Sequence, residues 1–484
     1  MIYDEIILIA SATKPDPQAL DSSIVRATSS PVMNMFLEFL EVPGNVLLIQ
    51  GPPGTGKTTL ALEILNAIRD THRVYASSRV SPVKLRIQFP WIDEVIDSMS
   101  GRSSKASWND EFHDLRGSDT DSVFSKIVRL KQTKQRSILA VDSWEGALRN
   151  ATPEGRKMLE SAVMSELDQT KVSVLLVSEA ERNDNLGYLV DSVVTLEQNE
   201  LDGRRIRSLK IDKFRGFRVQ DQQLPFSLEK GRFTFLNKEY ENGPPIIVRN
   251  PEVVSHTDTH YSTGSKELDH LLGGGVRKGS FLMIDTESNV SPQTVRLLIN
   301  MIRANFVNQG GACFSVSTGT FSSESAAEAL RPYVGEKALA ERVRIVEFNP
   351  QLPSRPWRLK VRGQLMSDVA EFYKAWNLLR ETSSGMMLTM NFDKLVQVYG
   401  EEMTLPGFTE MGEGLRDQGA FSIGISSRAT KIREEFLRQA DYHIKVESWN
   451  GHLLIYGVKP FTHIHGAAFN TDKGYPSLDL VEIV

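Results

Sequence analysis

Short apolar runs separated by amphipathic stretches of helix length recur along the chain. Positions 45–50 (NVLLIQ) form one such run, followed by a Gly-rich turn and then by Thr58-Thr59-Leu60-Ala61-Leu62-Glu63-Ile64-Leu65, whose apolar spacing is helical. Further apolar strands are predicted at 73–76, 137–141, 172–177 and 192–196. Strands alternating with helices imply a mostly parallel sheet covered on both faces, because each parallel return needs a crossover that a helix supplies. Segments 207–213, 224–228 and 232–236 instead alternate apolar and polar residues, as antiparallel edge strands do.

A polar stretch at 242–260, opened by Asn242-Gly243-Pro244-Pro245, reads as a linker. Behind it the plan starts again, with a Gly-rich opening at 263–275, a strand at 280–284 and a helix from Gln293. Strands follow at 343–348, 386–390, 421–425, 442–446 and 452–458. Asp191 and Asp441 each stand just before an apolar strand that leads into a hairpin. The expectation is a tandem duplication of one α/β plan, with domains at 1–243 and 244–484.

Composition narrows the class without naming a chemistry. A chain of 484 residues exceeds what one core supports, while 40% apolar and 24% charged residues are ordinary for a soluble globular protein. A net charge of -5 gives no overall attraction to nucleic acid or to anionic membrane. The single cysteine, Cys313, lies in an apolar stretch and is expected to be a buried thiol, not a nucleophile. No secretory signal pattern opens the chain and no apolar run approaches about 18 residues, so a cytoplasmic protein without membrane contact is expected.

The chemistry concentrates in Gly51-Pro52-Pro53-Gly54-Thr55-Gly56-Lys57-Thr58, with Thr59 completing the stretch. Glycines let backbone N–H groups turn inward around phosphate oxygens, and the following helix adds the positive end of its dipole. This pattern predicts bound ATP and Mg²⁺, with Lys57 on the β and γ phosphates and the Thr58 hydroxyl on the metal. Asp142 closes the strand at 137–141 and is the candidate metal carboxylate; the alternative is an aspartate capping the next helix. Glu145, Glu179 and Glu181 stand nearby, and Glu179, just after the strand at 172–177, is the candidate to orient or deprotonate water; each otherwise reads as a solvated loop carboxylate.

At these residues the chain resembles RecA-superfamily ATPases of the KaiC-like class. The phosphate loop, the strand ending in Val141-Asp142-Ser143, the late Lys213-Phe214-Arg215-Gly216 and the run from Ser262 to Gly275 carry that resemblance. The segments Val74 to Pro82 and Gln88-Phe89-Pro90-Trp91-Ile92 are similar to the archaeal gas-vesicle regulatory D (GvpD-like) family within that class. The resemblance implies tandem RecA-like domains and places Lys213 and Arg215 near the γ phosphate held by a neighbouring subunit. It also expects a Glu pair after the phosphate-loop helix, where this chain has Ser77-Ser78.

In the second half the three functional positions have lapsed together. After Ile284 comes Asp285-Thr286-Glu287-Ser288-Asn289 without glycine or lysine, strand 386–390 ends in Asn391, and Lys459-Pro460-Phe461 keeps only the lysine of the hairpin motif. The second domain is therefore expected to be degenerate and non-catalytic. A basic run at 126–136 reads as a solvated helix face or a docking surface for an acidic partner or DNA, and His463 with His465 as surface histidines or a weak metal pair. Nucleic acid is possible as a partner but not indicated. The expected function is a regulatory ATP-binding protein with slow or partner-dependent hydrolysis, acting with a protein partner or as a homo-oligomer. The alternatives are a ring ATPase in DNA transactions and a nucleotide-controlled transcriptional regulator.

Overall fold

In the computed structural model the apolar runs of the first half become β1 (Val46–Gln50), β2 (His72–Ser77), β4 (Ser137–Asp142), β5 (Val172–Val177) and β6 (Ser192–Leu201), and a short β3 (Phe112–Asp114) that no apolar run announced joins them. They lie parallel in the order β3-β2-β4-β5-β1-β6. Every residue of β1, β4 and β5 is buried, as a strand covered on both faces requires. The sheet is extended antiparallel by β7 (Arg204–Phe214), β8 (Gln223–Ser227) and β9 (Thr234–Phe235). Described are residues 30–484 apart from 69–70, 93–111, 117–128, 130–135, 150, 158–159, 161–169, 183, 237, 239–249, 317–321 and 428–430. The basic run 126–136, except Arg129 and Arg136, and the head of the expected linker lie outside the described residues.

The second half opens with the short pair β10 (His260–Tyr261) and β11 (Val276–Arg277). Its large sheet contains β12 (Phe281–Thr286), β13 (Ala312–Val316), β14 (Val343–Glu347), β15 (Arg358–Lys360), β16 (Met386–Asn391), β17 (Phe421–Ser427), β18 (Tyr442–Trp449), β19 (His452–Lys459), β20 (His465–Asn470) and β21 (Ser477–Glu482). The order is β15-β14-β13-β16-β17-β12-β18-β19-β20-β21, parallel as far as β18 and antiparallel beyond it. The run β3-β2-β4-β5-β1-β6-β7 thus has its counterpart in β14-β13-β16-β17-β12-β18-β19. These are two mostly parallel RecA-like α/β units in tandem.

The two units repeat side-chain devices as well as strand order. Asp191 accepts the N–H of Val46 at 3.1 Å, and Asp441 accepts the N–H of Phe281 at 2.9 Å, each fixing the start of the central strand. Lys213 donates to the carbonyl of Val190 and Lys459 to that of Ala440, closing the end of the preceding helix in both units. Cys313 is fully buried in β13, and burial pushes its thiol up to about 11 with Arg303 opposing, as an inert core residue.

The units meet along the β6–β7 hairpin. At its tip Asp202, in the left-handed region at φ 48°, accepts from Lys445 and, at 2.9 Å, from the Tyr456 hydroxyl. Arg204 donates to the carbonyls of Thr462 at 2.6 Å and Gly457 at 2.7 Å, with its guanidinium 3.9 Å from the Phe461 ring centre. Beneath these polar contacts Ile206 and Leu236 share an apolar cluster with Leu454, Tyr456, Ile464, Val481 and Ile483. A Cβ on Gly466 would stand 2.2 Å from Leu236 Cδ1, so β20 approaches at a distance only glycine allows.

Two outcomes are expected. Arg204→Ala strands two carbonyls at a closed seam and should lower the unfolding free energy by about 2–4 kcal/mol in urea titration, an unchanged midpoint refuting a stabilising seam. His256 accepts the N–H of Ser262 on Nδ1 at 3.0 Å, and burial with nearby Lys278 lowers its pKa from 6.5 to about 4. Because the folded value is depressed, its stabilisation is whole above pH 6.5 and is lost as pH falls toward 4. His256→Asn should flatten the stability profile between those limits; parallel wild-type and variant profiles would refute the assignment.

Candidate functional site

The first sheet's central strand β1 runs into the loop 51–56 and then into the helix Lys57–Ala67. Gly51, at φ 142°, passes so close to β6 that a Cβ would lie 2.3 Å from the Leu196 carbonyl oxygen. Gly56, at φ 100°, takes the left-handed N-cap position, and no side chain caps the helix, so its first N–H groups face the loop. Lys57 is 7% exposed and donates to the carbonyls of Gly51 and Pro52, both at 2.7 Å. Burial lowers its pKa, while Asp142 and Glu145 favour the charged form. Thr55 ties to the Pro52 carbonyl at 2.9 Å, and the Gly54 carbonyl accepts from Gln198 at 3.1 Å and Arg207 at 3.0 Å.

Strand direction brings the C-terminal end of β4 beside this loop. One oxygen of Asp142 accepts from the Thr58 hydroxyl at 2.7 Å and from the Tyr75 hydroxyl at 2.5 Å. Tyr75 is buried, and burial with the Asp142 charge raises its pKa well above 10, so it stays a donor. The cap of the following helix is Ser143, whose hydroxyl accepts the N–H of Gly146 at 3.3 Å; the helix-cap alternative for Asp142 is thereby removed.

The remaining carboxylates differ in what holds them. Glu145 accepts from the Ser178 hydroxyl at 2.5 Å and the Glu179 N–H at 3.0 Å, fixing the segment after β5. In the second unit Asp393 does the same for Ser427, at 3.2 Å. Glu179 lines the cleft and is ion-paired with Arg79, while Glu181 is exposed. Ser77 faces Asp142 in register and accepts the Val80 N–H at 3.1 Å. Ser78 bridges the N–H and C=O of Ser143 at 2.9 and 3.0 Å. The resulting cleft, about 480 Å³, is lined by Pro53, Gly54, Gly56, Lys57, Thr58 and Thr59 together with Arg79, Lys84, Asp142 and Glu179.

Lys213 and Arg215 do not join this cleft within one chain. They sit beside Asp191, which holds the first residue of β1, whereas the phosphate loop leaves its last, about 15 Å along the sheet. Lys213 instead donates to the carbonyls of Gly187, Tyr188 and Val190. The Gln-Phe-Pro-Trp segment packs against the back of the site: Trp91 donates to the Gly231 carbonyl at 2.9 Å and lies 4.2 Å under Arg232, which is 2.7 Å from the buried Glu63 of the phosphate-loop helix.

In the second unit Asp285 takes the place that Gln50 holds in the first. Burial disfavours its carboxylate, but His443 and Arg433 outweigh that and hold its pKa below the ordinary value. Glu287, next along, lies 3.4 Å from Lys445. Asn391 caps its helix by accepting the Lys394 N–H at 2.7 Å. His465 Nδ1 contacts the His463 carbonyl at 3.0 Å, and no group of three or more His, Cys, Asp or Glu forms a metal cluster among the described residues. A magnesium ion carried by a triphosphate needs no such cluster, since phosphates, water and one hydroxyl supply most of its ligands. Thr58 and Asp142 fit that donor set. No helix among the described residues is long and apolar enough to cross a membrane.

A central strand, a glycine loop turning into a helix, and a strand-end aspartate bonded to the loop threonine define a P-loop protein. Residues 35–212 match the model of the GvpD gas vesicle protein P-loop domain, so the first unit carries a GvpD-type phosphate-loop domain. GvpD2 of Halobacterium salinarum is 24% identical over 482 residues, covering 92% of this chain and 95% of that protein. GvpD1 of the same organism is 28% identical over 289 residues, 56% of this chain and about half, 53%, of the relative's length. The circadian clock protein KaiC2 of Synechocystis is 22% identical over 282 residues, 52% of this chain and 45% of that one.

Tyr75 lies in the segment 74–82 that the sequence singled out, though nothing there signals its hydroxyl's partner, and Arg207 reaches the site from a strand far along the chain. Thr58→Val is expected to weaken MgATP binding roughly tenfold while changing magnesium-free binding little. Equal losses with and without magnesium in titration calorimetry would reject a metal-directed role for the hydroxyl.

Proposed function

We propose that the first unit binds MgATP through residues 51–59 and that the protein is a cytoplasmic regulatory ATP-binding switch with slow or partner-dependent hydrolysis. The observation that carries this reading is the Thr58–Asp142 hydrogen bond of 2.7 Å, set beside the buried Lys57 at the mouth of a glycine loop. Loop N–H groups and the helix N-terminus would bind the phosphates, Lys57 would move from the loop carbonyls to the β and γ oxygens, and Thr58 with Asp142 would hold the ion. Magnesium, when bound, supplies charge neutralisation across those phosphates.

Slow turnover follows from what the cleft offers as a base. Ser77 and Ser78 stand where a Glu pair would serve, and both hydroxyls are committed to backbone groups. Lys213 and Arg215 lie at the far end of the sheet, so a phosphate they touched would belong to another copy; this supports dependence on a homo-oligomer. The second unit is read as a non-catalytic partner, because Asp285 and Glu287 would repel a triphosphate and Asn391 carries no charge for a metal.

Wild-type chain is expected to bind MgATP, and Lys57→Ala to lower that affinity by about a hundredfold or more. ATP hydrolysis measured with and without single-stranded DNA should be slow in both cases. Fast, DNA-stimulated turnover would replace the switch with a motor, and failure of the wild type to bind ATP would end this reading.

A further inference from the structure

We propose that Arg79 is the nucleotide-sensing cation of this site: it exchanges Glu179 for the terminal phosphate of ATP, and the carboxylate it releases positions the attacking water. The proposal rests on the reading that the cleft holds MgATP.

Arg79 lies two residues beyond the end of β2, whose last residue Ser77 stands in register with Asp142. Its backbone is pinned on both sides, by the Ser77 hydroxyl on Val80 N–H and by the Ser78 hydroxyl on both polar groups of Ser143. The Glu179 backbone is pinned in turn by Glu145. Two anchored stems therefore hold one ion pair in the cleft that Lys57 and Thr58 also line. The Arg79 side chain is 56% exposed and that of Glu179 31%, so the pair is wet and weak. Its charge is nevertheless felt at Lys57, where it opposes protonation.

A guanidinium donating two parallel N–H bonds to phosphate oxygens makes a stronger contact than an exposed guanidinium–carboxylate pair, and a triphosphate is the more charged acceptor. ATP entering the loop thus draws Arg79 away from Glu179. ADP presents no γ oxygens, and the ion pair persists. With ATP bound, Glu179 is a free carboxylate on the loop after β5, able to accept a proton from water. The water oxygen bonds to the γ phosphorus as the bond to the bridging oxygen breaks, ADP leaves with that oxygen, and the water proton passes to Glu179. The pair therefore links recognition of ATP over ADP to the release of the base, within one chain.

The test is ATP and ADP affinity in the full chain by titration calorimetry, with single-turnover hydrolysis alongside. Arg79→Ala should weaken ATP binding roughly tenfold to a hundredfold and leave ADP within about twofold. Arg79→Lys should recover part of the ATP affinity. Glu179→Gln should bind ATP at least as tightly as wild type and hydrolyse it more slowly. Arg79→Gln repeats the comparison should the alanine variant fail to fold. An ATP-to-ADP ratio unchanged by loss of the Arg79 charge, or weaker ATP binding by Glu179→Gln, overturns the proposal while ATP binding by the wild type leaves the wider reading intact. No ATP binding by the wild type overturns both.

Discussion

One buried guanidinium joins the phosphate loop to the second unit. Arg207, 6% exposed on β7, donates to the Gly54 carbonyl at 3.0 Å and also to the Val484 carbonyl. Burial lowers its pKa and Arg205 adds to that. A buried cation satisfied by carbonyl dipoles is costly to release, because a lost partner leaves its charge uncompensated. Gln198, on the facing strand, holds the same Gly54 oxygen. The turn that presents the loop glycines is therefore braced by the β6–β7 hairpin, and the tip of that hairpin is the part that enters the second unit. Loop shape and unit docking rest on one element.

The second unit keeps the architecture and reuses the space. The paired aspartates and lysines show that its strands start and its hairpin folds by the same devices as in the first unit. At the position of the phosphate loop the polar groups turn to each other: Asp285 to Arg433 and His443, Glu287 to Lys445. Lys445 also takes Asp202 from the first unit. Lys445 of β18 thus stands between Glu287, where the phosphate loop would begin, and Asp202 at the tip of the first unit's hairpin.

The phosphate loop and Asp142 were legible in the sequence because each is a local pattern on a strand end, and local patterns survive translation into structure. The duplication was legible through Asp191 and Asp441 for the same reason. β13 read only as an apolar stretch, since five residues including Cys313 and Ser315 carry no period that separates a strand from a core turn. Tyr75, Gln198 and Arg207 could not be read, for their partners lie across sheet crossings that sequence spacing does not encode. Lys213 and Arg215 were read as reaching a neighbouring subunit's phosphate, and strand direction and register set them away from the loop of their own chain.

The serines at 77 and 78 are a packing solution as much as a chemical one. A Cβ on Gly146 would lie 2.1 Å from Ser78 Oγ, so the helix after β4 already closes over a side chain of two heavy atoms. A glutamate there would have to displace the Ser143–Gly146 turn that Ser78 itself fixes. A carboxylate at 77 would stand buried in register with Asp142, whose oxygen already takes two hydroxyls, and like charges so placed resist joint ionisation. These contacts confine carboxylate chemistry to the far wall of the cleft. There Glu179, on a segment braced by Glu145, is the lining acid that Asp142 does not crowd, and what governs its freedom is the arginine beside it.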